Sequence, residues 1–598
     1  ILISGKHYVY AIGTYTDADI VIDLAGNGIH FSGLFGVDDE SDHASSIDCT
    51  LLLDGKPVAS SGAINWGQQP RELAADLAGV KELTIRITNA RKGGSPHADI
   101  ANGVITYLPD APRPDIERRL QDPDALAVPA IASGDPDEPQ IHGPRVVGTT
   151  PGRPFLFLIP ATGKPKLSFA AEGLPAGLTL DSSTGIITGS VENDGYYNVA
   201  LTVTNSTGKA SRELSIVAGK HKLAQTPPMG WNSWNAWGPE VTADRVRQAA
   251  DEMVKTGLAA KGFQYVNIDD AWEGTRTADG TIQPNSKFGD MKALADYVHS
   301  KGLKLGIYSS PGPLTCGKNE GSYQHELADA QWYAKNGIDY LKYDWCSYGR
   351  LVGDKRTLED MKRPYRVMGE ALEKVDRDIV YSFCQYGMGN VWQWGAQYNG
   401  NLWRTTSDIF DMWSSMASIG FGQAKISRYA SVGHWNDPDM LIVGKVSWGA
   451  ALHPTRITPN EQLTHITLWS MLSAPLLLGC DLTQMDKFTL DLMSNPEVID
   501  IDQDQLGRGA EPAYVDGSIE VWKKSLFDGT LALAVFNRGR MPRHVSVAWN
   551  QVGLKGPQPV RDLWQRKDLG TLDQIELTVP RHGAALLKVG ALPQPRAR

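Results

Sequence analysis

The chain lacks any run of 18 apolar residues, and with it any stretch that would cross a bilayer as a helix. It lacks a basic stripe too: 58 Lys and Arg face 68 Asp and Glu, a net charge of −10, which argues against a nucleic-acid partner. Cysteine is scarce and odd in number, five in 598 residues, so the count alone yields no complete disulfide framework. No Gly-rich phosphate loop follows any expected strand, which weakens a nucleotide-binding reading. The sequence begins at Ile1 with neither Met nor a charged-then-apolar leader, and the expectation is a secreted or periplasmic protein whose signal has been removed.

What is present reads as several domains, because a chain this long exceeds one core. Residues 1–110 alternate in short runs such as Asp19 to Leu24 and Glu82 to Thr88, the pattern of a β-sandwich. Residues 111–142, rich in Pro, Asp and Arg, read as a linker with room for one helical turn. Strand patterns return over 143–219, with Phe155 to Ile159 and Tyr197 to Val203. From 223 to 508 strands alternate with helices of about a dozen residues. Thr242 can cap a helix with Val246, Ala249, Ala250, Met253 and Val254 on one face, and a second, from Met291, buries Leu294, Tyr297 and Val298. Strands are expected at 229–231, 263–268, 303–308, 340–343, 379–384, 402–404, 433–435 and 475–478, the arithmetic of a closed (β/α)8 TIM barrel rather than a doubly wound sheet. Residues 509–592 alternate again, as an antiparallel β domain, and ALPQPRAR at the end reads as a disordered tail.

The stretch IDYLKYDWC, Ile338 to Cys346, organises the rest. It reads as a buried parallel strand emerging at the open end of the barrel, where such barrels carry their chemistry. Asp344 is the leading candidate for a nucleophile, although a strand-end carboxylate can equally cap a helix or hold a loop amide. The other strand ends add Trp231 and Trp234, then Asp269, Asp270 and Trp272, then Tyr308, Lys342, Cys384-Gln385-Tyr386, Arg404 with Asp408, and Trp435 to Asp439. Carboxylates and a Lys grip hydroxyl pairs, a flat aromatic packs on the C–H face of a pyranose, and two further carboxylates suffice for glycoside hydrolysis. A metal is the chemical rival for such an acidic cluster. It is discounted because the strands carry neither Glu-x-x-His nor His-x-His, and the nearby His434 reads as packed.

These motifs carry a resemblance. TPPMGWNSWNAWG, YVNIDDAWEG, KLGIYSSPG, LKYDWC, NLWRTTSDI and HWNDPDML make residues 226 to about 591 similar to glycoside hydrolase family 27, the α-galactosidases or melibiases. FSGLFGVDD, DGKPVASSG and HADIANGVITY resemble the NPCBM carbohydrate-binding domain, with Ile100 where an aromatic is usual, and GLPAGLTL with TGIITG resembles bacterial Ig-like domains. The resemblance to family 27 implies retaining double displacement, with the nucleophile on Asp344 and the acid/base on Asp408. It implies sugar contacts from Asp269, Asp270, Lys342, Arg404 and Asp439, with Trp234 under the ring, Tyr308 nearby and an active-site disulfide between Cys316 and Cys346. Gln385 and Tyr386 stand where many relatives have Glu and Trp, facing the sugar's 2-position, and Ser407 replaces a common Gly before the acid/base.

The expected activity is that of an exo-acting α-galactosidase needing no cofactor or metal, with an α-galactoside as its partner and an oligomeric state left open. The alternatives are a β-L-arabinopyranosidase of the same family and a carbohydrate-binding protein without activity. Intact Asp344 and Asp408 argue against the last.

Overall fold

The computed structural model describes residues 1–39, 41, 45–91, 96–109, 111, 114–120, 127–539 and 541–590. They form two units, Ile1–Ala127 and Val128–Arg598. In the first, period-two alternation builds a sandwich whose inner faces meet over Ile20, Phe31, Phe35, Ile47, Leu51 and Ile85. One sheet gains an edge strand from the segment expected to be linker. Asp115–Leu120 pairs antiparallel with Ala18–Asp23, so this part of the Pro-rich stretch is extended rather than a helical turn. Most of the remaining linker up to residue 126, and the expected disordered tail, lie outside the described residues.

In the second unit, a four-stranded and a three-stranded sheet pack on Phe157, Phe169, Ile187, Leu201 and Ile216 as the Ig-like domain. Its Thr150 amide donates to Asp378 at 2.8 Å, and its Arg153 pairs with the same carboxylate at 3.3 Å. Asp378 precedes the fifth barrel strand, so the domain packs at the barrel's N-terminal end.

The barrel strands are β1 (Met229–Asn232), β2 (Tyr265–Asn267), β3 (Lys304–Ser309), β4 (Tyr340–Asp344), β5 (Val380–Cys384), β6 (Leu402–Arg404), β7 (Trp435–Asp437) and β8 (Leu476–Leu478). Every neighbouring pair from β8 through β1 to β7 is parallel, and a bridge from Leu441, just past β7, to Leu478 closes the ring. All eight expected strands are present, displaced by at most two residues at either end. Helix α1 (Ala243–Lys255) is capped by Thr242, whose side chain accepts from the Arg245 amide. It buries Val246, Ala249, Ala250 and Met253, but Val254, one step round from Met253, stands 46% exposed. In α2 (Met291–His299) Ala295 completes the buried stripe, while Tyr297 is only half-buried because its hydroxyl turns out to Asp251 at 2.7 Å.

Helix α3 (Pro459–Leu472) is buried on all sides, since one face meets the barrel and the other the C-terminal β domain. That domain is a six-stranded antiparallel sheet backed by a two-stranded one. Among the described residues no helix is long and apolar enough to cross a membrane.

Candidate active site

Side chains two apart on a strand share a face, so β4 sends Lys342 and Asp344 together into the barrel mouth while Tyr343 points outward against Tyr365 and Tyr381. Both oxygens of Asp344 are engaged. Tyr308 on β3 donates to Oδ2 at 3.1 Å, and Tyr386, just past β5, donates to Oδ1 at 2.8 Å. Burial pushes this carboxyl up to about 6, against the downward pull of Lys342 and Tyr386.

Behind it lies a paired charge. Lys342 Nζ donates to Asp269 Oδ2 at 2.8 Å, and Asn232 at the end of β1 donates to the same oxygen at 2.8 Å. Burial would lower the Lys342 ammonium, yet Asp269, with Asp344 adding, holds it well above its usual value, so it stays charged. On the far wall Arg404 branches: its Nη2 meets Asp439 at 2.8 Å and Asp408 at 3.0 Å. Asp439 is 5% exposed at its side chain and Asp408 58%, which leaves Asp408 the solvent-accessible carboxylate of the pair. Burial raises Asp437 to about 6, with Arg404 opposing and Asp439 adding to the rise.

Asp270 is held differently. Its Oδ1 accepts from the Ala271 amide, Thr315 and Asn319 at 2.7, 2.9 and 2.9 Å, and its Oδ2 from the Gly317 amide at 2.6 Å. Three of these donors come from one loop. Cys346 ties that loop down through the Cys316–Cys346 disulfide, with Cα atoms 4.9 Å apart; the bridge agrees with the expected pairing, and Cys49, Cys384 and Cys480 are free and buried. Next to Asp270, burial and that carboxylate push Glu273 well up.

The structure therefore gathers Asp269, Asp270, Tyr308, Lys342, Asp344, Arg404, Asp408 and Asp439 at one barrel mouth, with half-buried Trp234 just after β1. Gln385 is fully enclosed, its Nε2 donating to the Met388 carbonyl at 2.8 Å, and its neighbour Tyr386 faces the pocket instead. Trp231 and Trp272 are not a stacking wall. Trp231 is fully buried and donates to the Cys480 carbonyl, and Trp272 stacks on Trp332 at 5.3 Å. His434 is packed against Trp403, with Nδ1 at 2.7 Å from the Gly400 carbonyl.

Sequence reasoning gave no role to Asn232 or Asp437. Three pocket loops turn on a non-glycine residue with positive φ: Ala271 at 83°, Tyr386 at 62° and Asp439 at 85°. Such turns cost roughly 1–3 kcal/mol each and persist where the surroundings over-determine them.

Against known proteins, the profile described as "Alpha galactosidase A" matches residues 226–504 and that of the "Alpha galactosidase C-terminal beta sandwich domain" matches 516–589. An NPCBM/NEW2 profile matches 1–106 and an Ig-domain profile 138–219. An α-galactosidase of Cyamopsis tetragonoloba is 44% identical over 349 residues, 57% of this chain and 80% of its own. The crystal structure of α-galactosidase I from Mortierella vinacea superposes with a TM-score of 0.58 at 33% identity, covering 63% of this chain and all of that one. A family 27 β-L-arabinopyranosidase from Geobacillus stearothermophilus does so with a TM-score of 0.55 at 28% identity, covering 63% and 98%.

Proposed function

This chain belongs to glycoside hydrolase family 27, the α-galactosidase family, and from that premise we propose that it removes terminal α-linked D-galactose by retaining double displacement. The observation that carries the reading is the environment of Asp344, a buried carboxylate with both oxygens on phenols and a lysine alongside, facing an exposed second carboxylate, Asp408. Asp344 attacks the anomeric carbon as Asp408 protonates the departing oxygen. Asp408 then takes a proton from water, which opens the glycosyl ester with the configuration restored. Asp269, Lys342, Arg404 and Asp439 hold the ring hydroxyls, and Trp234 packs on the C–H face. The disulfide at the pocket mouth supports an oxidising compartment, secreted or periplasmic.

The nucleophile must be ionised, which fixes the sign of the pH dependence. With Asp344 raised to about 6, kcat/KM should fall about tenfold per pH unit as pH drops below that value. Asp437 titrates in the same range, so the profile of Asp437→Asn separates the two: a surviving limb near pH 6 assigns it to Asp344. A flat profile down to pH 4 contradicts the assignment.

The second reading, a β-L-arabinopyranosidase, concerns a sugar that differs from galactose only in lacking C6. In our reading Asp270 accepts from O6, its Oδ2 taking the Gly317 amide and keeping a lone pair to spare. A hydrogen bond to a charged group contributes roughly 1.5–3 kcal/mol, so the aryl α-galactoside should be preferred by about one to two orders of magnitude in kcat/KM. Asp270→Glu adds a methylene close against Gly317, where even an added Cβ would lie 3.0 Å from Oδ2. The variant should lose activity on both substrates, and more on the galactoside. Assaying both aryl glycosides with wild type and variant decides it: an unchanged ratio moves the discrimination elsewhere, and a wild type that prefers the arabinoside selects the second reading.

A further inference from the structure

The disulfide lies against the carboxylate assigned to the chemistry. Cys316 Sγ, Cys346 Sγ and one oxygen of Asp344 all fall within 4.8 Å of one another, and the Tyr308 hydroxyl is 3.2 Å from Cys346 Sγ. Among the described residues no other cluster of His, Cys, Asp or Glu brings three ligand atoms together in this way. While the bridge is intact the sulfurs are poor ligands, because it is the thiolate that binds metal. Cys316 is exposed, so a reductant reaches the bridge from solvent. A dithiol cleaves it by exchange and ends as its own disulfide. A water-soluble phosphine cleaves it by taking oxygen from water, becoming a phosphine oxide and leaving one hydrogen on each sulfur.

We propose that the reduced Cys316–Cys346 pair and Asp344 form a site for a soft divalent ion, zinc in the first instance, which the disulfide keeps closed. Zinc displaces the two thiol protons and takes two thiolates and one carboxylate, leaving a fourth position for water. Bonds of about 2.3 Å to sulfur and about 2.0–2.2 Å to a carboxylate oxygen separate tetrahedral ligand atoms by roughly 3.5–3.8 Å, inside the span these atoms already occupy. The sulfurs must move apart from bonding distance, and Cys316, on the exposed loop, can supply that movement. Lys342, at the next inward position of β4, offsets the surplus negative charge of three anionic ligands around a divalent ion. The free thiol of Cys384 is buried and pushed well up in pKa, so it stays protonated and outside the set. The ion would occupy the carboxylate that hydrolysis needs. That consequence rests on the function proposed above; binding itself does not.

The test uses the full chain, reduced with the phosphine, desalted without oxygen and titrated with zinc against a colorimetric chelator. One zinc per reduced chain is expected, with less than a tenth of that in the oxidised chain and at least tenfold weaker binding in Cys316→Ser. Cobalt in place of zinc should give thiolate charge-transfer absorption in the reduced chain and none in Cys316→Ser. No zinc on the reduced chain, or equal binding by the oxidised chain or by Cys316→Ser, overturns the site. Hydrolysis of an aryl α-galactoside by the reduced enzyme should fall at least tenfold with one equivalent of zinc and return with a chelator. Zinc bound with hydrolysis untouched keeps the metal site and overturns the role given to Asp344.

Discussion

Asp344→Asn should remove nearly all turnover of an aryl α-galactoside, because an amide cannot form and release the glycosyl ester. The side chain is matched in shape, so the pocket keeps its outline, and galactose should still bind when followed by calorimetry. Folding should not suffer either. The folded pKa of Asp344, about 6, lies above the unfolded carboxylate value, so at any pH above 6 its ionisation works against folding, and a neutral amide relieves that cost. Lost turnover together with an unchanged or higher melting temperature at pH 7 separates a chemical role from a structural one. A variant keeping more than about a tenth of the wild-type rate, roughly 1.4 kcal/mol of barrier, rules the nucleophile out.

Asp408→Ala tests the other carboxylate through the leaving group. A poor leaving group needs the proton and a nitrophenolate does not, so hydrolysis of an α-galactosyl disaccharide should drop by about two to four orders of magnitude while glycosylation by the activated aryl glycoside persists. Because Asp408 is exposed and held by Arg404, its removal should, in the proposed mechanism, open space at the sugar's anomeric face. Azide can enter there without needing a base, and the product should be a glycosyl azide of retained configuration. Equal losses on both substrates, or an inverted azide, would contradict the acid/base assignment.

The parts of this site that were legible in the sequence are those fixed by strand periodicity. Lys342 and Asp344 fall two apart on one strand, so their shared direction follows from the pleat alone. Asp269, Arg404 and Asp439 sit at or just beyond strand ends, within the reach of the same argument. Asn232 and Asp437, the last residues of β1 and β7, lay within the same reach and were passed over, whereas the placing of Tyr386 depends on backbone outside regular structure. Tyr386 follows β5 in the left-handed region, and that turn brings the Tyr386 hydroxyl to Asp344 and folds Gln385 inward. No periodicity predicts such a reversal. Trp231 and Trp272 looked like platforms because strand-end aromatics often are, but their indole N–H groups are spent on the Cys480 and Tyr308 carbonyls, which locks both inside. The strand at Asp115–Leu120 escaped because composition near prolines outweighed the short alternation of Asp-Ile-Glu-Arg-Arg-Leu.

If Asp344 is the nucleophile proposed above, its two phenols also bear on how long the covalent intermediate would live. In the resting enzyme they stabilise the free carboxylate, which makes it a more reluctant attacker. With a sugar attached in the proposed cycle, the ester would be neutral and the same hydroxyls would face a group that gains charge as it departs, so they should speed its expulsion. A carboxylate held this way is a tempered nucleophile and a good leaving group. In the proposed cycle it should shift the burden toward the first half-reaction, so that the glycosyl ester is expected to be consumed faster than it is made.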